Sequence, residues 1–219
     1  MKPLLHARLL NGYFEDPCLF IRILYEKKAI LFDLGNIHSL KQSELYKITD
    51  VFVTHTHMDH FIGFDTILRG ILRRELPLNI YGPPSVLPCI QGKLKGYTWN
   101  LIEDYPTEIN VFAYNGRYLT HSLFSAKNRF RKQPVSKSES EGLLLQNPMF
   151  TVRAAKLDHG IPCLAYSLEE KYHINIDKAR LTAKGLPVGP WLNEFKQIIR
   201  EQAEYGRQSV RIGDKDFKV

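Results

Sequence analysis

Cysteine is scarce in this sequence, and the three that occur, Cys18, Cys89 and Cys163, lie far apart. Their odd number and spacing fit neither a disulfide framework nor a CxxC zinc knuckle, so we expect reduced, structural thiols. Long apolar runs are also lacking, and none reaches the roughly 18 residues that a membrane helix needs. The N-terminal stretch MKPLLHARLLNGYFEDP has no clean apolar core and no small-residue cleavage site, so we expect no signal peptide. These absences favour a cytoplasmic protein without a membrane segment.

Composition and charge are those of an ordinary globular protein with a basic surface. The chain has 219 residues, of which 44% are hydrophobic and 24% charged, enough for one large domain or two small ones. Its formal net charge is +7 and its pI is about 9.2. This balance modestly favours a polyanionic partner such as nucleic acid.

Strand and helix patterns alternate along the chain, which predicts an α/β architecture. Strands are predicted as a pair within 18–36, at 51–55 and at 78–84, helices at 39–48, at 64–76 and from residue 192, and a β-hairpin within 150–170. Two stretches are typical of loops, the polar and basic residues 125–141 and the Gly/Pro-rich residues 184–191.

The most distinctive stretch is VFVTHTHMDH at residues 51–60, where histidines and an aspartate crowd the end of an apolar strand. Imidazole and carboxylate groups are the usual non-thiolate ligands of zinc. His55 and His57 are two residues apart, so on an extended segment both project to the same side and can reach one ion. Asp59 and His60 follow where the chain turns, and we expect them to face a second ion a few ångströms away.

This motif resembles the signature of the metallo-β-lactamase superfamily, whose members are mostly hydrolases with one or two zinc or iron ions. The upstream strand ILFDLG resembles the superfamily strand that carries an aspartate just before a glycine. The resemblance implies that Asp33 holds the ligands or their loop in place from behind, the alternative being a simple strand-end turn. It also implies an αββα sandwich, two β-sheets packed face to face with helices outside.

A later segment narrows the resemblance to one branch. KLDHGIPCLAYSLEEK, at 156–171, is similar to the His-Gly segment of ribonuclease Z, the tRNA 3′-processing endonuclease, with Ala165 where that family usually has Gly. The likeness implies that His159 is the third imidazole on the first metal, beside His55 and His57. It implies zinc as the cofactor, with two ions per site expected and iron or manganese as alternatives.

A Gly/Pro-rich segment resembles a second feature of the same family. IDKARLTAKGLPVGPWLNEFKQ is similar to its protruding arm, which grips the tRNA elbow. The resemblance implies one domain over 1–219 with an arm-like segment at about 172–210. The implied substrate-binding residues are Gly185, Pro187, Gly189 and Pro190, although composition alone predicts only a loop.

Part of the family's site has no counterpart in the sequence. Ribonuclease Z enzymes add an aspartate that bridges both metals, a last histidine and an assisting Glu/His pair. Asp214 and Asp216 lie in a polar turn and are not assigned to the bridge. We expect the chain to end before these C-terminal ligands as a fragment of a longer protein. A homodimer in which a second chain supplies the missing half, and a non-catalytic protein, are the alternatives.

Two other groups of residues are open to more than one interpretation. The basic run Lys127, Arg129, Arg131 and Lys132, with Phe130 among them, is either a solvated loop or a contact for a phosphate backbone or a base. The remaining histidines singled out here, His6, His38, His121 and His173, are expected to be structural or surface residues.

The resemblance implies a zinc-dependent hydrolase that cleaves the phosphodiester after the tRNA acceptor stem and leaves a 3′-hydroxyl on the tRNA. Asp59 is then the catalytic residue, which orients or deprotonates the attacking water while also serving as a ligand. The expected partner is a tRNA precursor or another phosphodiester. The alternatives are a small-molecule hydrolase of the same superfamily, acting on a cyclic phosphodiester, thioester or lactone, and a truncated protein that binds metal or RNA without turnover.

Overall fold

Eight strands form one mixed sheet, in which they follow one another in chain order. They are β1 Leu5–Leu9, β2 Leu19–Ile23, β3 Ala29–Phe32, β4 Ile48–Phe52, β5 Leu78–Gly82, β6 Glu108–Tyr114, β7 Tyr118–Ser125 and β8 Lys132–Glu139. Strands β3 to β6 run parallel to one another, and the outer pairs are antiparallel. Strand β4 is buried at every position, as expected for a central strand covered on both faces.

The computed structural model describes residues 4–24, 26–171, 174, 176–200, 209–212 and 215–218. The chain divides into two compact units, one of Met1–Leu145 with Val152–Leu168 and one of Gln146–Thr151 with Glu169–Val219. No helix within the described ranges is long and apolar enough to cross a membrane.

Alternating side chains give the central strands two different faces. Aliphatic residues such as Val51, Ile80 and Val111 are fully buried on one face. On the other face, neighbouring strands align the rings of Phe32, Phe52, Tyr81 and Phe112, whose centroids are 5.1, 4.6 and 4.7 Å apart in that order. Stacked rings in directly paired positions stabilise the register of the sheet, because a slip by one residue would separate every pair.

Three helices accompany the sheet: α1 Gln42–Leu45, α2 Phe64–Ile71 and α3 Val86–Lys95. Helix α2 buries Phe64, Ile67, Leu68 and Ile71 as one apolar face, which confirms the helix predicted there. The predicted end at residue 76 is wrong, because Arg74 turns inward and its guanidinium donates to the carbonyls of Tyr46 and Ile48. The helix predicted at 39–48 shrinks to one turn, because Ile48 already belongs to β4.

A second sheet contains β9 Leu143–Gln146, β10 Phe150–Asp158 and β11 Pro162–Glu170, in the order β11-β10-β9. Within the first unit, β11 packs on the aromatic face of the large sheet. The Tyr166 hydroxyl donates to the Val53 carbonyl at 2.7 Å, and its ring centroid lies 5.5 Å from that of Phe52. The hairpin predicted within 150–170 and the α/β class are therefore confirmed, and the large sheet is mixed.

The loop predicted at 125–141 is wrong. Its first residues complete β7 and a short 3₁₀ turn, and Lys132–Glu139 form the edge strand β8. Strand β8 looked like a loop because its side chains are almost all exposed, while its pairing is made by backbone atoms. Phe130 is buried in the core and Arg129 pairs with Glu103, so this phenylalanine is not available to a nucleic-acid base.

The second unit contains α4 Lys178–Ala183, α5 Trp191–Arg200 and a hairpin of β12 Ser209–Ile212 and β13 Lys215–Lys218. Asp177 caps α4 by accepting a hydrogen bond from the Arg180 N–H at 3.0 Å. A small core of Ile198, Val210 and Ile212 joins the helix to the hairpin. The arm-like segment predicted at about 172–210 falls within this unit.

Candidate metal centre

The end of strand β4 places the histidine motif. The Val53 N–H still bonds to the Tyr81 carbonyl at 2.8 Å, after which the chain leaves the sheet. His55 is buried, with 5% of its surface exposed, and the 3₁₀ turn Met58–His60 reverses the chain directly after His57. The motif is therefore held between a rigid buried strand and helix α2, which suits ligands that must keep one geometry.

Three imidazoles converge at this point. One ring nitrogen from each of His55, His57 and His159 lies within 4.8 Å of the other two. The closest pair is His55 Nε2 and His57 Nδ1, at 3.1 Å. His159 comes from the turn between β10 and β11, and its ring centroid is 5.1 Å from that of His55. The backbone bond from Leu164 N–H to the Thr54 carbonyl, 2.9 Å long, fixes this turn against the motif.

The donor set and its spacing fit a divalent metal ion. Zinc holds nitrogen at about 2.0–2.1 Å, which in tetrahedral geometry places neighbouring nitrogens about 3.3 Å apart. Burial lowers the pKa of His55 below its usual 6.5, and the nearby His60 and His57 lower it further. The neutral imidazole is the form that offers a lone pair to a metal, so the environment favours the state that ligation requires.

Asp33 and Thr54 hold the histidine motif in place through hydrogen bonds. The buried Asp33 carboxylate accepts the Thr54 N–H at 2.7 Å and the Thr54 hydroxyl at 2.9 Å. It also accepts from His60 Nδ1 at 2.9 Å, which leaves Nε2 of His60 to face outward. The Thr54 hydroxyl lies 3.0 Å from His55 Nδ1, so it accepts the proton there while its own proton goes to Asp33. A carboxylate that fixes imidazole tautomers in this way is typical of metal sites.

Asp59 and His60 lie beside the three imidazoles but outside their compact group. The Asp59 side chain is 54% exposed, and one of its carboxylate oxygens is 3.5 Å from His60 Nε2. The ring centroids of His55 and His60 are 4.0 Å apart. All five ligands proposed from the sequence thus gather at one edge of the sheet, where Asp59 is exposed and the His60 side chain is only 17% exposed.

Comparisons with known proteins find relatives by sequence. No protein-family model matches the chain. It is 31% identical over 205 residues to ribonuclease Z of Deinococcus radiodurans, an alignment that covers 88% of this chain and 60% of the relative. It is 28% identical over 203 residues to ribonuclease Z of Pyrococcus abyssi, covering 89% of this chain and 55% of that protein. The chain is thus similar in sequence to ribonuclease Z over most of its own length. The resemblance stated from its motifs is confirmed, and the chain spans little more than half the length of these relatives.

Two solved structures also align with this chain. Human tRNase Z, short form, aligns with a TM-score of 0.46 and 21% identity, covering 76% of this chain and 62% of that one. A metallo-β-lactamase fold protein from Bacillus subtilis aligns with a TM-score of 0.42 and 15% identity, covering 75% and 54%.

The arm residues predicted from the resemblance form the turn between α4 and α5. Gly185 has φ +67, a conformation that favours glycine, and Trp191 Nε1 donates to the Pro187 carbonyl at 2.8 Å. Gly189 packs against the Trp191 ring, and Pro190 is exposed at the start of α5. Asp216 lies exposed in β13, whereas Asp214 and His173 lie outside the described residues.

Sequence reasoning missed Thr54, although it links Asp33, His55 and His60. Its position directly before the first histidine was the available signal. His121 is a structural residue, as expected, since its Nε2 donates to Asn110 Oδ1 at 2.8 Å. His6 and His38 are exposed away from the described metal-ligand group.

Proposed function

We propose that this chain carries the metal centre of a zinc-dependent endoribonuclease that cleaves tRNA precursors at the 3′ end. The convergence of three imidazole nitrogens within 4.8 Å of one another supports a metal-dependent hydrolase most directly. Homology to ribonuclease Z over 88% of the chain supports RNA as the substrate class.

His55, His57 and His159 would hold the first ion, and Asp59 with His60 would contribute to a second. A bound divalent ion supplies Lewis-acid activation of water and of the scissile phosphate. Zinc is the ion that these nitrogen donors favour, while iron and manganese are the alternatives to be separated by metal analysis.

The chain's own residues then have distinct tasks. Asp59 carries an exposed carboxylate at the rim of the imidazole group, where it orients the attacking water and accepts its proton. Asp33 and Thr54 keep His55 and His60 in the tautomers that ligation requires. The burial of His55 behind them fixes the inner wall of the site.

The arm in the second unit offers a phosphate-binding surface. Lys178, Arg180 and Lys184 are exposed on or directly after α4, next to the turn that contains Gly185 and Pro187. Cations around a rigid turn bind the RNA backbone without reading its sequence. Neutralising these three side chains with glutamine should weaken RNA binding and make it less dependent on salt, because fewer counterions are then released.

Metal content and cleavage test the proposal together. The protein is loaded with Zn²⁺, Mn²⁺ or Fe²⁺ and assayed on a tRNA precursor with a 3′ trailer and on bis(p-nitrophenyl) phosphate. His159→Ala should lower metal affinity at least about 10-fold, since the loss of a partner that only orients a ligand already costs about 10- to 100-fold. His6→Ala, which changes an exposed histidine on β1, should leave metal affinity unchanged.

The outcomes separate the competing functions. A wild-type chain that binds none of these metals and cleaves neither phosphodiester would overturn the proposal. Turnover of a lactone or thioester without phosphodiester cleavage would instead identify a small-molecule hydrolase. Tight metal binding without any turnover would identify a metal-binding protein that this chain alone does not make catalytic.

A further inference from the structure

A small cavity lies between the end of helix α3 and the connection from β7 to β8. Its volume is about 220 Å³, below the roughly 300–1,000 Å³ of pockets for drug-sized molecules. We call it the basic pocket, because four of its described lining residues are cations and none of them carries a carboxylate. The residues on which its chemistry depends are Lys95, Trp99, Arg129, Phe130, Arg131 and Lys132.

Buried contacts fix the shape of the basic pocket. Phe130 is 4% exposed and belongs to the core, and its ring meets the Trp99 ring edge-on with the centroids 4.8 Å apart. The Phe130 N–H also bonds to the Ser125 carbonyl at 2.8 Å. Arg129 and Arg131 are the neighbours of this anchored residue in the chain, so the core sets where their backbone lies.

An unusual backbone conformation accompanies these contacts. Arg129 and Phe130 follow one another with φ +51 and +50. This left-handed conformation costs free energy in a residue with a side chain, and glycine is its usual occupant. The other non-glycine residue with a positive φ in the described part of the chain is Asp33, which holds the histidine motif. Strained backbone of this kind clusters at sites that hold ligands.

The cations of the basic pocket are only partly compensated. Arg129 Nε donates to Glu103 Oε1 at 2.8 Å. Lys95, Arg131 and Lys132 have no carboxylate within ion-pair distance among the residues that the structure describes. Like charges around one cavity repel each other, and a bound anion would offset that repulsion while accepting charge-assisted hydrogen bonds.

The end of helix α3 gives a simpler explanation for one of these cations only. Lys95 lies in the last turn, where the helix dipole favours a positive charge. The carbonyls there already have donors, since Leu94 accepts from Trp99 Nε1 at 2.7 Å and Lys93 accepts from the Gly96 N–H at 3.1 Å. These bonds reduce the negative charge that the helix end presents to an anion. The dipole does not account for the cations contributed by the other segment.

The basic pocket and the metal centre lie at opposite ends of the parallel strands. The histidine motif follows the end of β4, and β6 runs parallel to β4 through β5. Glu108, at the start of β6, pairs with Ser125 directly before the connection that carries the cations. A ligand in the basic pocket would therefore occupy a site separate from the imidazole group.

We propose that the basic pocket binds a phosphate group, carried by an RNA backbone or by a free phosphate ester. Arginine presents a planar fork of donors that matches phosphate oxygens, and lysine adds a compact charge. A phosphate has more acceptor oxygens than a carboxylate, which suits a cavity with several converging donors. The inference goes beyond the proposed function and requires neither bound metal nor cleavage.

The indole N–H signals in a proton–nitrogen correlation NMR spectrum give a local readout. The chain has two tryptophans, Trp99 at the basic pocket and Trp191 in the second unit. Inorganic phosphate is titrated into the full chain at constant ionic strength, adjusted with potassium chloride. The Trp99 signal should shift and saturate with a Kd of about 1 mM or lower. The Trp191 signal should not follow the same curve, whereas a diffuse salt effect would move both signals alike.

Two double variants with the same change in charge test the assignment. Arg131→Gln with Lys132→Gln removes two unpaired cations from the pocket and should raise Kd roughly 10-fold or more, because hydrogen bonds from charged donors are lost. Lys127→Gln with Lys137→Gln changes two exposed lysines nearby that do not line the pocket, and Kd should stay that of the wild type. Thermal unfolding of each variant checks that the fold is intact.

Two further ligands identify the source of the phosphate. Adenosine monophosphate and a short single-stranded RNA without terminal phosphates are titrated in the same way. Saturation of the Trp99 shift by the nucleotide at lower concentration than by the RNA would assign the pocket to a free phosphate ester. The opposite order would assign it to an RNA backbone. Either result supports the inference if Arg131→Gln with Lys132→Gln weakens it.

A Trp99 shift that grows with phosphate and never saturates would overturn the inference. Equal Kd in the wild type and in Arg131→Gln with Lys132→Gln would overturn it as well. An equal loss of affinity in both double variants would assign the effect to net charge and would also contradict a pocket. Saturable binding in a chain that holds no metal would support the inference while the proposed function fails.

Discussion

Replacing Asp33 with asparagine should weaken metal binding through His60, although Asp33 is not itself proposed as a ligand. The carboxylate accepts three hydrogen bonds, two from Thr54 and one from His60 Nδ1. An asparagine amide of the same shape has one acceptor oxygen and one donor NH₂ group. With its oxygen on the Thr54 N–H, its NH₂ faces His60 Nδ1. The His60 proton must then move to Nε2, which no longer has a lone pair for a metal.

The opposite orientation of the amide does not remove the conflict. With its oxygen toward His60, its NH₂ group faces the Thr54 N–H, which lies 2.7 Å from the present carboxylate oxygen. A buried donor left without an acceptor costs about 1–3 kcal/mol. We therefore expect the metal-free Asp33→Asn variant to lose about 1–3 kcal/mol of unfolding free energy. Loss of a partner that orients a ligand typically lowers metal affinity about 10- to 100-fold.

The assay combines a chelator-competition titration with Zn²⁺ and urea unfolding of the metal-free protein. Asp50→Asn is the matched control, since Asp50 is buried to a similar degree and accepts from Thr49 and Asn79. This control should lose comparable stability while its metal affinity stays that of the wild type. Wild-type metal affinity in Asp33→Asn would refute the argument that Asp33 sets the tautomer of His60. Equal losses of affinity in both variants would assign the effect to general destabilisation.

Three further measurements test the packing. Gly63→Ala should destabilise the protein strongly, because a Cβ there would lie 2.2 Å from a backbone carbonyl oxygen. Gly92→Ala has open space around it in helix α3 and should stabilise the protein by about 0.5–1 kcal/mol. Urea unfolding measures both variants, and equal effects on the free energy of unfolding would contradict the packing. Burial lowers the pKa of His121 below its usual 6.5. As the pH falls below 6.5, the unfolded chain therefore binds a proton at this ring before the folded protein does, and the free energy of unfolding decreases. NMR titration of the ring in the folded protein should give a midpoint under 6.5, and a higher midpoint would exclude this contribution. Burial raises the pKa of the Cys18 thiol to about 12, so alkylation at pH 8 should spare it until the protein unfolds, and rapid labelling of the native protein would contradict its burial.

Much of the fold followed from local patterns. The apolar stretch before the motif predicted a buried strand, and the spacing of Ile67, Leu68 and Ile71 predicted helix α2. Strand β8 escaped prediction because its side chains face solvent and carry no apolar alternation. Backbone hydrogen bonds to β7 form it, and the pattern of side chains does not reveal them.

The metal-binding motif was readable from the chain alone because His55, His57, Asp59 and His60 lie within one turn and one strand end. Spacing on so short a segment fixes which side chains can converge. His159 became a candidate through resemblance, and only the fold brings it to the other two imidazoles. That approach depends on the pairing of β11 with the end of β4, between residues more than a hundred positions apart, which no local spacing encodes.

Local sequence thus determined the chemistry that this protein can offer, namely imidazole and carboxylate donors at a strand end and an arm-like turn rich in glycine and proline. Tertiary packing decided how that chemistry is arranged. It buried Asp33 behind Thr54, left Asp59 in solvent and packed the connection between β1 and β2 against Gly35. Donor type is a property of each residue, whereas burial, tautomer and proximity arise only when distant segments exclude water together.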